Sequence, residues 1–323
     1  MSGPRPALDT TSASRDGRHE LVLDGQRLAY TDLPAVTGAG NARPVLFVHG
    51  LMSSSRTWTA QLERLAGTHR VLAPDLFGSG DSDKPTGDYS PASHAATLRD
   101  LLDALGITGA TVVGHSLGGG IATQMAYLFP DRVDAIVLVS SGGLGRGLHP
   151  LLRVATLPGS DLVLPLFASG WLHAVGDTAL QLWGKLGLPR ISPGSDEAWR
   201  TLPTLADAAT RTAFLATSRS VIDFYGQTVN AENHLAGMKS RPCLLIWGAR
   251  DRIIPPSHLK AARAALPSAS VEIFDRSGHF PYLDEPDRFA QVLEDFLRHA
   301  FTAAAEPADE PATTATERSR HNK

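Results

Sequence analysis

The sequence predicts an α/β protein: a mostly parallel sheet flanked by helices, interrupted once by a helical insertion. Short apolar runs recur along the chain, at VLFVH (45–49), VLAPD (71–75), TVVGH (111–115), AIVLVS (135–140), CLLIWG (243–248) and VEIFD (271–275). Several are separated by amphipathic segments of helical period, such as SHAATLRDLLDALG (93–106). Strands that alternate with helices and are apolar on both faces belong to βα units with a buried sheet. The rhythm breaks over 142–240, where Leu, Ala, Trp and Pro accumulate in helical stretches without a clear strand.

The elements follow in chain order. Residues 1–18 carry no apolar segment of the kind a secretory signal needs and read as a disordered leader. HELVLDGQRLAYTD (19–32) alternates and turns at Asp24-Gly25, an antiparallel hairpin that opens the sheet. The core then runs over 19–141 and resumes over 241–301, with 142–240 as a helical cap over the carboxyl edge of the sheet. Residues 302–323, rich in Ala, Pro, Glu and Thr, read as a solvated tail.

Composition excludes several function classes. A chain of 323 residues with 42% hydrophobic and 20% charged residues has the make-up of a globular protein with a sizeable core. A formal net charge of −3 gives no electrostatic reason to bind nucleic acid or an anionic membrane. No apolar run reaches the roughly 18 residues of a membrane span. The lone Cys243 lies in an apolar run, which fits a buried small side chain and a cytoplasmic location. Neither metal-ligand spacing nor a phosphate-binding glycine loop is present, so no cofactor is expected, and the histidines at 94, 149, 173, 234 and 258 receive no catalytic or metal role.

Functional residues in such sheets gather at the carboxyl ends of the strands. The most informative end is GHSLGGG (114–120), which places one hydroxyl between glycines where a strand becomes a helix. Gly-x-Ser-x-Gly in that context is a turn so tight that small neighbours are required. It aims the serine side chain out of the sheet, with the free N–H groups of a helix start beside it. His49-Gly50-Leu51 follows the strand VLFVH, and its loop can bring the Leu51 N–H to face Ser116, where it joins the N–H of Leu117 as an oxyanion hole. Asp251 follows CLLIWG, and His279 lies between the last strand and the final helix.

The order Ser116, Asp251, His279, each at a strand end, is that of a nucleophile, an acid and a base. An unassisted serine hydroxyl is a poor nucleophile near neutral pH. His279 takes its proton and later delivers it to the leaving group, while Asp251 fixes the tautomer of His279 and stabilises the imidazolium.

The segments FVHG (47–50), DLFGSGDSDKP (75–85), GHSLGG (114–119), FPDRVDAIVLVS (129–140), WGARD (247–251) and SGHFPYLDEPDRF (277–289) resemble the α/β-hydrolase superfamily, over nearly everything from Leu21 to Ala300. The resemblance implies a capped serine hydrolase, in which Asp75, Gly78 and Gly80 form a structural loop bracing the HG segment. Serine at the turn sets the chain apart from the similar epoxide hydrolases and haloalkane dehalogenases, which carry aspartate there, and leaves carboxylic ester hydrolysis as the expected reaction.

SGGLG (141–145), RTAFLATSRS (211–220) and FLRHA (296–300) also resemble carbon–carbon bond hydrolases of ring-fission diketones. That resemblance matches Arg200 to a substrate-contacting cap arginine. Those enzymes carry asparagine where this chain has His115, tryptophan where it has Phe280, and asparagine where it has Ala60. A ligand-binding or signalling role with little turnover is a further alternative, because some proteins that keep this triad act as receptors. The apolar stretch from Leu148 to Trp171, with Trp183 and Trp199, suggests a hydrophobic acyl or aryl substrate and a pocket for medium apolar acyl groups.

Overall fold

A computed structural model describes residues 17–36, 42–171, 174–178, 192–229, 238 and 241–302. The sheet begins with the hairpin β1 (Arg18–Leu23) and β2 (Gln26–Leu33), turned by Asp24 and Gly25 at positive φ. It continues with β3 (Val45–Val48), β4 (Val71–Pro74), β5 (Ala110–His115) and β6 (Val133–Val139), and ends with β9 (Cys243–Gly248) and β10 (Ser270–Phe274). The strand order is β1-β2-β4-β3-β5-β6-β9-β10. β2 is antiparallel to both its neighbours, and every pairing from β4 to β10 is parallel.

Strict alternation divides the apolar runs between two core layers. Leu46, Val48, Val112, Ile136, Leu138, Leu245 and Trp247 face one layer, while Val45, Phe47, Val113, Val137, Val139, Leu244 and Ile246 face the other. The first layer is closed by α2 (Pro91–Ala104), α3 (Leu117–Leu128) and α8 (His258–Ala265). The second is closed by α1 (Thr59–Leu65) and α10 (Pro286–Thr302). Burial on both faces is why these strands read as unbroken apolar runs. Local signals set the helix ends: α2 starts at Pro91, with Ser90 as its cap accepting the Ser93 N–H at 3.3 Å.

Between β6 and β9 the chain makes α4 (Pro150–Ala155), α5 (Ser160–Phe167), α6 (Pro193–Thr201) and α7 (Ala208–Val221). α9 (Pro281–Asp284) precedes α10. Several expected boundaries shift. Arg18 belongs to β1 rather than to the leader, and Thr302 ends α10 rather than beginning the tail, while α3 starts directly after Ser116, where the strand was expected to become a helix. The insertion also contains a strand pair that the sequence does not announce, β7 (Ile222–Asp223) with β8 (Gly226–Gln227). Its strands have two residues each, too few to show a period, and its turn uses the Asp223 carboxylate, which accepts the Tyr225 N–H at 2.7 Å, instead of an Asn-Gly pair. Residues 1–16 and 303–323, His173, Trp183 and His234 lie outside the described residues.

α3 leaves β5 so steeply that its first turn presses on the neighbouring strand. A methyl group at Gly118 would stand 2.3 Å from the carbonyl oxygen of Val48 and 2.6 Å from that of His49. Gly118→Ala is therefore expected to destabilise the fold by about 1–3 kcal/mol, the usual scale of overpacking, in equilibrium denaturation. Gly87→Ala, where nothing lies within 4 Å, is the matched control and is expected to match the wild type. Equal stability of the two variants would contradict this packing.

Candidate active site

Ser116 occupies the single position between β5 and α3, with φ 54° and ψ −115°. An L-residue adopts that conformation only when its surroundings impose it. Here the Ser116 N–H donates to Val139 O at 3.0 Å, and the Ser116 carbonyl accepts from Gly119 N at 3.0 Å and Gly142 N at 2.8 Å. β6 and the loop after it thus clamp the turn from one side, and α3 from the other. Strain at one serine, held by several independent bonds, is the pattern of a site built to present a side chain.

Asp251 and His279 meet across the adjoining strand ends. His279 Nδ1 lies 2.8 Å from Asp251 Oδ2, and both side chains are buried, at 6% and 0% exposure. Asp251 Oδ1 accepts the N–H groups of Ile253 at 2.8 Å and Ile254 at 2.9 Å. The loop after β9 therefore holds the carboxylate through the oxygen that His279 does not use. A carboxylate only accepts, so the His279 proton sits on Nδ1 and Nε2 keeps its lone pair.

The remaining link runs through His115. Its Nε2–H donates to the His279 carbonyl at 2.8 Å, and the two rings lie 4.7 Å apart, which sets His279 beside the residue preceding Ser116. No hydrogen bond joins Ser116 Oγ to His279 among the described residues. Such bonds are often open before substrate binds.

The loop after β3 lies directly against the serine: a methyl at Gly50 would stand 3.2 Å from Ser116 Cβ. Leu51 follows, and Leu117 is the first residue of α3, where backbone N–H groups lack helical partners and the helix dipole is positive. Leu51 and Leu117 border two cavities. The smaller, about 60 Å³, also includes Ser116, Leu148, Leu152, Val221, Ile222, Gln227 and Ile254 and is predominantly apolar. The larger, about 590 Å³, extends past His49, Arg56, His94, Glu197 and Arg200 between the sheet and α6 and α7.

The other singled-out residues fall at varied distances from this centre. Arg200 borders the larger cavity, but its side chain is 64% exposed and pairs with Asp196 at 3.1 Å on its own helix. Phe280 is part-buried between the His115 ring at 4.9 Å and Gly194 of α6, and borders neither cavity. Ala60 is exposed on α1 and borders neither cavity. Asp75 is a brace: Oδ1 accepts Ser55 N at 2.7 Å, and Oδ2 accepts Asp81 N at 2.9 Å and Arg18 at 2.7 Å. Burial alone would raise its pKa, but the hydrogen bonds from Asp81, Arg18 and Ser55 outweigh it and hold Asp75 below the usual range.

Burial keeps the nearby histidines neutral: His94 is pushed down to about 4, and His49 and His115 are lowered as well. Burial pushes the Cys243 thiol up to about 12, so it is inert. Among the described residues no cluster of His, Cys, Asp or Glu could hold a metal ion, and no helix is long and apolar enough to cross a membrane.

Two contributors escape a reading of the sequence. Gln227 of β8 accepts the Gly143 N–H at 2.7 Å and donates to Gly147 O at 3.2 Å, bracing the loop beside Ser116 from within the insertion. No local motif marks it. Tyr282 reaches His115 from α9, and only its position three residues after His279 hints at a part in the site.

A family model described as alpha/beta hydrolase fold matches residues 43–286. An uncharacterized protein of Mycobacterium tuberculosis is 40% identical over 295 residues, covering 91% of this chain and 84% of the other. The 2-hydroxymuconate semialdehyde hydrolase of Pseudomonas putida is 30% identical over 269 residues, covering 81% of this chain and 89% of that enzyme. Among solved structures, a hydrolase from Pseudomonas aeruginosa superposes with a TM-score of 0.67 at 25% identity, over 88% of this chain and 99% of that one.

Proposed function

The chain belongs to the α/β-hydrolase family and is a hydrolase, and from that premise we propose that it cleaves carboxylic esters through an acyl-enzyme on Ser116. The observation that carries this reading is the buried 2.8 Å bond from His279 Nδ1 to Asp251 Oδ2, which leaves Nε2 basic at the edge of the sheet where Ser116 is held in a strained turn. In the first half-reaction Ser116 Oγ attacks the carbonyl carbon as His279 Nε2 takes its proton. The N–H groups of Leu51 and Leu117 hold the oxyanion. The intermediate collapses with transfer of that proton to the departing alkoxide, and an alcohol leaves. Water, deprotonated by the same Nε2, then releases the carboxylic acid and restores the serine.

The insertion acts as the cap that selects substrates. At about 10–15 Å³ for each water-sized group, the apolar cavity at Ser116 holds about four to six such groups. That is a short acyl chain, shorter than the apolar composition of the insertion suggests, because Leu151, Leu162, Leu166 and Trp171 are exposed, and among the described residues of that stretch only Leu148 and Leu152 line the cavity. Across p-nitrophenyl esters from acetate to decanoate, kcat/KM is expected to peak at or below butyrate and to fall at least about tenfold by octanoate, the scale of a few mismatched methylenes. A rate that rises steadily to decanoate would contradict the assignment of this cavity.

Carbon–carbon bond cleavage is the second reading, favoured by the similarity to the Pseudomonas putida hydrolase. Against it stand His115 and Phe280, which replace the asparagine and tryptophan expected for that chemistry, and the pairing of Arg200 with Asp196. Turnover of a ring-fission diketone faster than of short esters would reverse the order of the two readings.

A further inference from the structure

Behind His279 lies a closed chain of hydrogen bonds that the reaction scheme does not use. Thr57 Oγ1 is 3.2 Å from Tyr282 Oη, Tyr282 Oη is 3.3 Å from His115 Nδ1, and His115 Nε2 is 2.8 Å from the His279 carbonyl. All three side chains are buried: Thr57 is 6%, Tyr282 1% and His115 2% exposed. Three elements meet here: the turn after β3, the end of β5 and α9.

The donors can be arranged in one consistent way. A carbonyl only accepts, so His115 Nε2 carries the hydrogen. His115 Nδ1 then carries a lone pair and must receive a donor, which is the Tyr282 hydroxyl. With its hydrogen committed, Tyr282 Oη accepts from Thr57.

The geometry points to His115 and Tyr282 as positioning residues: Tyr282 locks His115 in its Nε2–H tautomer, and His115 uses that hydrogen to fix the backbone of His279 against the turn that carries Ser116. The inference rests on the serine-hydrolase reading, because it assigns to His279 the role of base. It gives a physical reason for histidine immediately before the serine. A side chain there reaches the base loop and, through the 2.8 Å bond to the His279 carbonyl, ties the two catalytic segments together.

The charge state of the lock matters as much as its geometry. The imidazoles of His115 and His279 are 4.7 Å apart, so a positive His115 would oppose the imidazolium that forms on His279. Among the described residues the titratable groups that act on His115 are His279, His49 and Tyr282, and none of the three supplies a negative charge at neutral pH. Burial holds His115 well below the ordinary histidine value, and a positive charge on His279 lowers it further. The pair is thus asymmetric by construction. Only His279 has a carboxylate partner, so the proton taken from Ser116 goes to His279 and stays there until the leaving group accepts it.

The test compares full-length Tyr282→Phe, His115→Phe and His115→Gln with the wild type, by the rate of labelling with a fluorophosphonate and by kcat and KM for p-nitrophenyl acetate. Tyr282→Phe keeps the ring stacked on Trp58, with centroids 4.0 Å apart, and removes only the hydroxyl. His115→Gln keeps an N–H donor near the Nε2 position, whereas His115→Phe keeps a ring and no donor. The expected result is a loss of about 10- to 100-fold in labelling rate and kcat for both phenylalanine variants, the cost of a misplaced catalytic group, with KM within about twofold and His115→Gln within about fivefold of wild type. Wild-type labelling at Ser116 combined with unchanged rates in both phenylalanine variants would overturn the inference alone. So would a His115→Gln loss equal to that of His115→Phe, which is what simple repacking gives. Failure of the wild type to be labelled at Ser116 would instead remove the serine-hydrolase reading, and the inference with it.

Discussion

Ser116→Ala is expected to lower kcat for short p-nitrophenyl esters by about 10⁴ to 10⁶ while leaving KM and the thermal midpoint near those of the wild type. The size follows from the way the site is divided. In the proposed reaction the hydroxyl receives the acyl group, so nothing else on the strand edge replaces it. What survives is the backbone: Leu51 and Leu117 still border the cavity, and in the proposed reaction their N–H groups still hold the carbonyl oxygen, which is why residual catalysis over water is expected. The fold survives because the bonds that hold this turn are made by the Ser116 N–H and carbonyl, to Val139, Gly119 and Gly142, and none by its side chain. Alanine inherits the strained φ of 54° without new atoms. A variant that unfolds, or one that retains more than a hundredth of wild-type turnover, would contradict the role given to the hydroxyl.

Asp251→Asn is the second large effect, and its direction is set by the two backbone donors at Oδ1. Ile253 N–H and Ile254 N–H lie 2.8 and 2.9 Å from that oxygen and require an acceptor. An asparagine therefore turns its carbonyl oxygen to them and its NH2 group toward His279 Nδ1. Two donors cannot face each other, so His279 moves its proton to Nε2, the atom that must accept from Ser116. Turnover near neutral pH is expected to drop by about 10³ to 10⁴ with little change in stability, because the volume and the backbone contacts are preserved. Steady-state kinetics on the variant decides it. Loss of less than about tenfold would move the acid to another residue.

Much of this architecture was legible because the sheet is buried on both faces. Val45–Val48, Ala110–His115, Val133–Val139 and Cys243–Gly248 are continuous apolar runs for that reason, and each strand lies within a residue or two of where the runs place it. The hairpin was equally plain, since Asp24-Gly25 is a turn pair that tolerates positive φ. Ser116, Asp251 and His279 could be picked out because short motifs at strand ends carry them, and a parallel sheet brings such ends to one edge.

What escaped the sequence depends on contacts across long separations. Gln227 acts on Gly143, 84 positions away, through a hairpin of two-residue strands, and Tyr282 reaches His115 across 167 positions. The size of the cavity at Ser116 was hidden as well, because an apolar leucine looks the same in sequence whether it lines a pocket, like Leu148, or faces solvent, like Leu162. Arg200 shows the converse. A resemblance singled it out, but its neighbours Asp196 and Glu197, four and three positions back on α6, hold its charge on the surface of the helix.

The central claim, that Ser116 is acylated during turnover, is tested most directly by acid-quenching the wild-type protein while it hydrolyses p-nitrophenyl butyrate and mapping the adduct by peptide mass spectrometry. The account predicts one butyryl group on Ser116, in the peptide containing GHSLGGG, absent from Ser116→Ala and accumulating when His279→Ala is given the same ester for longer. Hydrolysis in Ser116→Ala at more than a hundredth of the wild-type rate, or an adduct on any other side chain, would contradict it.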